Sequence, residues 1–152
     1  MTLFNLTELP AQLAPAMRLL GLDPGARRIG VALSDVNRQV ASPYSTLIRA
    51  KLKHNAFEIA AIAEREGAGG LIIGLPLDGD QRFGPRAQAA RDWAHALSAA
   101  TGLPAALIDE SFTTADAHEN MIAAGLSRMR RGEIIDKMAA AAILQSALDT
   151  MN

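Results

Sequence analysis

Leu19-Leu20-Gly21-Leu22 is an unbroken apolar run that stops at Asp23, and Pro24-Gly25 then turns the chain. From Arg28 to Ser34 the pattern alternates, with Ile29, Val31 and Leu33 on one face. Alternation of this kind marks a strand pairing back on the first. Gln39 to Ile48 supplies a third strand, and Pro43 within it favours an edge position because proline cannot donate to a ladder. Three strands on short turns predict an antiparallel meander. The period then changes. Leu52, Ala56, Ile59, Ala60 and Ala63 form a helical stripe ended by Gly67. Gly70 to Gly74 is a short buried strand, Asp78 to Gly84 a polar loop, and Pro85 suits a first helical position. Ala90, Trp93, Ala94 and Leu97 continue that helix toward Gly102, and Ala105 to Asp109 forms a fifth strand. Thr113 or Thr114 caps a further helix ending near Gly125. Ser127 to Gly132 reads as a basic loop, and a last, largely apolar helix runs from Glu133 to about Asp149. Residues 1–16, with Pro10 and Pro15, read as an extension, and 17–152 as one α/β layered domain.

Acids occupy unusual places in this frame. Asp23 ends the first strand, Asp109-Glu110 ends the fifth, and Asp136 heads the last helix among Ile134, Ile135, Met138 and Ala139, which predict a helix buried on most sides there. A carboxylate at the end of a buried strand is costly unless something compensates it. Strands four and five, each followed by a helix, should run parallel to the first and bring their carboxyl ends to one edge. Adjacent strand residues face opposite ways, so only one of Asp109 and Glu110 serves a site there, and Glu110 has the longer reach. The bland readings are a turn-starting Asp23, a helix-capping Asp109 and an Asp136 that merely complements the helix dipole. The joint reading is a shared divalent cation. Oxygen-only ligands favour Mg²⁺ or Mn²⁺, which suit phosphodiester hydrolysis.

Composition narrows the alternatives. The chain has 152 residues, 49% of them apolar and 4% aromatic, with fifteen basic residues against sixteen acidic ones. There is no cysteine, which excludes a disulfide scaffold, a thiol nucleophile and a thiolate zinc site, and a reducing cytoplasm is the expected setting. No apolar run approaches the roughly 18–20 residues of a membrane span, and Glu8 argues against a secretory signal. His54, His95 and His118 lack metal-ligand spacing. Candidate phosphate contacts are Arg27 and Arg28 after the first turn, Arg86 at the Pro85 helix, Arg128, Arg130 and Arg131 before Asp136, and Lys137 beside it. Solvated surface positions explain such residues equally well, as they do the cluster Arg49, Lys51 and Lys53.

The segment from Leu20 to Asp35, LGLDPGARRIGVALSD, resembles the opening motif of the YqgF (RuvX) family, the Holliday-junction-resolvase-like pre-16S rRNA nucleases of bacteria. Ile73-Gly74-Leu75-Pro76-Leu77 with Gly84-Pro85-Arg86-Ala87-Gln88, then Ile108 to Thr114, then Ile135 to Ala141, agree in order and spacing. The resemblance runs from about residue 17 to the end. It implies an RNase H-like fold with a five-stranded mixed sheet in the order 3-2-1-4-5, flanked by helices. It also implies a Mg²⁺- or Mn²⁺-dependent nuclease with Asp23, Glu110 and Asp136 as the acidic triad. The implied partners are structured RNA, specifically precursor 16S rRNA, or branched DNA such as a Holliday junction. Ser111 stands where the family usually has Arg, and Asp78-Gly79-Asp80-Gln81 replaces its Asn-Met-Asp-Gly loop. A non-catalytic nucleic-acid-binding module is the competing reading. An actin-like phosphotransferase would need two such domains to clamp ATP, and 152 residues supply one.

Overall fold

The computed structural model describes residues 3–76, 84–110 and 127–152, with Glu110, Arg128 and Met129 described as backbone alone. The described elements are, in chain order, β1 (Leu3–Phe4), a 3-10 turn (Leu9–Gln12), β2 (Arg18–Pro24), β3 (Arg28–Ser34), β4 (Ala41–Ile48), α1 (Leu52–Glu66), β5 (Ala68–Pro76), α2 (Pro85–Thr101), β6 (Ala105–Glu110) and α3 (Arg128–Met151). Residues 78–83 of the expected loop and the helix expected after Thr113 or Thr114 lie outside the described residues, as does Ser111.

One mixed sheet carries the order β1-β6-β5-β2-β3-β4. The meander β2-β3-β4 is antiparallel, and β5 and β6 run parallel to β2. The order that the resemblance implies recurs as β4-β3-β2-β5-β6, with one correction: among the described residues the sheet has six strands, not five. The added strand, β1, pairs Leu3 with Ala105 and Phe4 with Ala106. Two residues are too few to show a period, so the extension hid it. Its tether is apolar burial, since Leu9 is wholly buried against Leu19, Ile72 and Ala106. Pro43 sits in β4, at the sheet's edge, beside a register shift at Val31/Ala32.

Both faces of the sheet are covered, which explains why the central strands are apolar at nearly every position. Leu20, Leu22, Ile29, Val31, Leu71 and Ile73 meet Ile59, Ile62, Ala94 and Leu97 of α1 and α2. Leu19, Ala32, Ile72 and Ala106 meet Ala140, Ile143, Leu144, Ala147 and Leu148 of α3. Strand alternation therefore assigns positions 19, 21 and 23 of β2 to the α3 side. On that side the sheet is pared to glycine at Gly21, Gly30 and Gly74, where an added Cβ would meet Leu144 or Ala140, Asp136, and Ile143 respectively. The helix thus lies unusually close to the strands.

Two expectations about α3 need correction. The helix begins at Arg128, not Glu133, because Ser127 caps it: the Arg130 amide donates to Ser127 Oγ at 3.2 Å. Gly132, read as the end of a loop, is inside the helix, and the guanidinium of Arg28 occupies the space a Cβ would need. Nor is the helix buried around Asp136 on most sides. Ile135 and Ala139 are buried, but Met138 is exposed.

Candidate active site

Parallel pairing places the carboxyl ends of β2, β5 and β6 along one edge of the sheet. Asp23 is the penultimate residue of β2 and pairs with Gly30 of β3. The backbone of α3 at Asp136 lies against Gly30, so the helix delivers Asp136 to the end of β2. Glu110 ends β6 opposite Pro76 and shares its alternation with Ala106 and Ile108, the positions belonging to the α3 side. Asp109 falls on the opposite alternation and lines a separate hollow with Leu3, Leu107 and Arg91. The choice of Glu110 over Asp109 thus rests on register.

Burial raises the Asp23 carboxyl from 3.8 to about 6, and the charge of Asp136 adds to the shift. Asp136 is not held by the helix dipole, so the bland reading of this acid fails together with its expected place at the head of the helix. Starting the helix at Arg128 puts Asp136 in the third turn, beyond the reach of a terminal dipole. Its partner is Arg28, whose Nε donates to Asp136 Oδ2 at 2.6 Å. Arg28, proposed as a phosphate contact, is therefore engaged inside the protein and fixes one wall of the site.

Arg28→Gln is expected to lower stability by about 1–2 kcal/mol, since a charge-assisted hydrogen bond between partly exposed groups is lost. The loss should be larger above pH 6, where Asp23 and Asp136 both carry charge once Asp23 has released its proton. Urea denaturation at pH 5 and pH 8 measures this, and equal losses would refute the coupling.

A cleft of about 420 Å³ opens beside Asp23, with Gly25, Arg49, Pro76, Arg86 and Ile143 among its walls. Arg86 is where the sequence expected it, in the first turn of α2 after Pro85. Arg27 is exposed in the β2–β3 turn, and Arg130 is exposed on the first turn of α3, with Arg131 and Lys137 half-buried along the same helix. Arg128, Arg130 and Arg131 are thus helical positions, not a mobile loop. Trp93 packs in the α1–α2 core, as its helical spacing implied. The residue missed as a site candidate is Arg49. With Lys51 and Lys53 it reads from the sequence equally as an extension of a nucleic-acid surface or as a solvated helix start, and the pairing of Arg28 with Ile48 carries it to the β2–β3 turn.

The donor set suits a hard divalent ion. Asp23 and Asp136 offer oxygen donors at a half-buried edge, where burial and the charge of Asp136 make Asp23 resist ionisation. Among the described residues there is no cluster of three metal-ligating side chains, so the pair needs a third donor from the same edge.

Residues 17–150 match the family model described as RuvX, Holliday junction resolvase. A relative from Acidiphilium cryptum, named "Putative pre-16S rRNA nuclease", is 51% identical over 152 residues, covering 100% of this chain and 96% of its own length. One of the same name from Gluconacetobacter diazotrophicus is 53% identical over 150 residues, 98% of this chain and 97% of that protein. Among solved structures, Thermus thermophilus RuvC in complex with a Holliday junction substrate superposes with a TM-score of 0.52 at 12% identity, over 89% of this chain and 96% of that one. The fowlpox virus resolvase in complex with Holliday junction DNA gives 0.52 at 10% identity, over 89% and 99%. These likenesses make the fold RNase H-like. Matched by the family model from its second strand almost to its end, and sharing half its positions with full-length relatives, the chain belongs to the RuvX family.

Proposed function

We propose that this protein is a divalent-metal-dependent nuclease that hydrolyses phosphodiester bonds of precursor 16S rRNA during its maturation. The observation that carries this reading is the convergence of Asp23 and Asp136 from β2 and α3, with burial and mutual repulsion holding the Asp23 proton to about pH 6. Two carboxylates brought together at that cost call for a cation. The names of the close relatives supply the substrate.

In this reading Asp23 and Asp136 hold Mg²⁺ or Mn²⁺, with Glu110 as third ligand from the end of β6. The bound ion would polarise the phosphate and activate water for its attack. The protein's own groups do the rest. Arg28 fixes the Asp136 carboxylate, and α3 packed on Gly30 holds that carboxylate at the strand ends. Arg86 lines the cleft where substrate enters, and Arg27, Arg128, Arg130, Arg131 and Lys137 extend a basic surface for the backbone of structured RNA. The nuclease domain is residues 17–152, with β1 and Leu9 of the preceding segment bracing its far edge. No helix among the described residues is long and apolar enough to cross a membrane. We place the activity in the cytoplasm.

The test incubates the protein with precursor 16S rRNA, and in parallel with four-way DNA, under Mg²⁺, Mn²⁺ or EDTA. Cleavage of the precursor that needs metal is the expected result. Precursor cleavage that persists in EDTA would refute the metal assignment. Cleavage of the four-way DNA alone would replace the RNA substrate with the junction named by the family model. Binding of RNA without hydrolysis, and without Mg²⁺ uptake by calorimetry, would reduce the protein to a binding module.

A further inference from the structure

Arg49 is held in place by the fold and has no anionic partner among the described residues. It follows the last residue of β4, and its amide donates to the Arg27 carbonyl at 2.9 Å. Its Nη1 donates to the Gly25 carbonyl at 2.8 Å. Its guanidinium carbon stands 5.2 Å from the centroid of the Trp93 ring. No carboxylate of the described residues pairs with it. A guanidinium carries five N–H donors in a planar fork, and one is spent on Gly25. The rest of the cation lines the same cleft as Asp23 and Arg86.

This arrangement differs from a solvated surface arginine. A flexible arginine surrenders rotamer freedom when it binds, whereas one pinned by a carbonyl and an aromatic face has already lost it. The cover over Trp93 also settles which group meets a ligand, since the ring face is occupied by the guanidinium and a base does not stack there. A cleft of about 420 Å³ lies within the range that takes a small-molecule-sized group.

We propose that Arg49, with Arg86 of the same cleft, is a phosphate clamp that binds the RNA backbone beside the bond positioned at Asp23. This rests on the nuclease reading for what happens at Asp23. The clamp itself follows from cation geometry. Arg49 holds the strand so that the neighbouring phosphate lies at the carboxylates, and Arg27, exposed on the adjoining turn, continues the track.

The experiment measures binding to precursor RNA in EDTA, with Asp23→Asn as the parent so that no cleavage intervenes, from 50 to 200 mM salt. Arg49→Ala in that background should weaken binding roughly tenfold and flatten the dependence of log affinity on log salt by about 0.7–0.9, the share of one phosphate contact. Arg49→Lys should keep the salt slope and lose part of the affinity, because the charge remains while the fork does not. Arg86→Ala should flatten the slope likewise. Thermal melting of each variant separates the clamp from a merely structural clip on the turn: a lower melting temperature with unchanged slope and affinity for Arg49→Ala overturns the proposal. So does weakened binding of four-way DNA with RNA binding unaltered. Failure of the nuclease reading shows elsewhere, as absence of metal-dependent cleavage by the unsubstituted protein, while the salt slopes still report on Arg49.

Discussion

Asp23→Asn is expected to abolish hydrolysis and, above pH 6, to make the metal-free protein more stable than the unsubstituted one. The activity loss should be at least roughly a thousandfold, since a ligand to the proposed ion is removed with the charge that draws it. The stability gain follows from proton linkage. The folded carboxyl titrates at about 6 and the unfolded one near 3.8. Below 3.8 both states are protonated and the group contributes nothing. Between 3.8 and 6 the unfolded chain has released its proton while the folded chain keeps it, so stability falls as pH rises. Above 6 the penalty is complete, and a carboxyl displaced this far costs about 1–3 kcal/mol after allowance for solvent. Asparagine removes that penalty together with the repulsion from Asp136. The melting temperature at pH 8 should rise by roughly 3–10 °C over the unsubstituted protein, and the difference should vanish near pH 4. Mg²⁺ should stabilise the unsubstituted protein at pH 8 and do far less for the variant. A variant that is equally or less stable at pH 8 would remove the buried, repelled carboxylate from the account, and undiminished cleavage would remove Asp23 from the chemistry.

The parts of this protein that its sequence discloses are those with a local signature. The run from Leu19 to Asp23 names a buried strand and its terminal acid, and the alternation after Arg28 names the returning strand. The run of strand-turn-strand discloses the antiparallel meander, and the strand-helix units disclose the parallel strands, whereas the full sheet order comes from the family resemblance. What stayed hidden has no local signature. Leu3–Phe4 becomes a strand only because β6 is present to pair with it. Arg-Met-Arg-Arg-Gly shows no apolar period, so the first turn of α3 reads as a loop and Asp136 reads as standing at the head of the helix, two turns from its true start. The real counter-charge, Arg28, is separated from Asp136 by 108 positions. Arg49 carried the same charge signal as Lys51 and Lys53, and only the β3–β4 register distinguishes the one that reaches the cleft. Residue types that bear chemistry were therefore visible one at a time, whereas their compensation is a tertiary property.

Gly30→Ala is expected to be among the most damaging single-methyl additions available to this chain. Gly30 pairs with Asp23 across the hairpin, and an added Cβ would overlap the carbonyl oxygen of Asp136 and crowd the amide of Lys137. All of the opposing atoms are helix backbone, which cannot swing aside as a side chain would. Relief requires α3 to lift from the sheet, and that opens the contacts of Ala140, Ile143 and Leu144 with Leu19, Ile72 and Ala106. Overpacking a core typically costs about 1–3 kcal/mol when side chains can yield, and more is expected here. Gly21→Ala meets a gentler obstacle, the Leu144 Cβ at 2.6 Å with the Ala140 carbonyl at 3.0 Å, and should cost less. Chemical denaturation orders the two variants. The consequence for the site is separable from the loss of stability. At temperatures where the Gly30→Ala protein is still folded, lifting α3 withdraws Asp136 from Asp23, so Mg²⁺ affinity should fall while the Asp23 carboxyl, relieved of its neighbour, titrates below its usual value of about 6 in this protein. Nuclear magnetic resonance of the Asp23 side chain reads that titration directly. A folded Gly30→Ala protein with unaltered Asp23 titration and full Mg²⁺ affinity would mean that the close seating of α3 on β3 has no part in assembling the carboxylates.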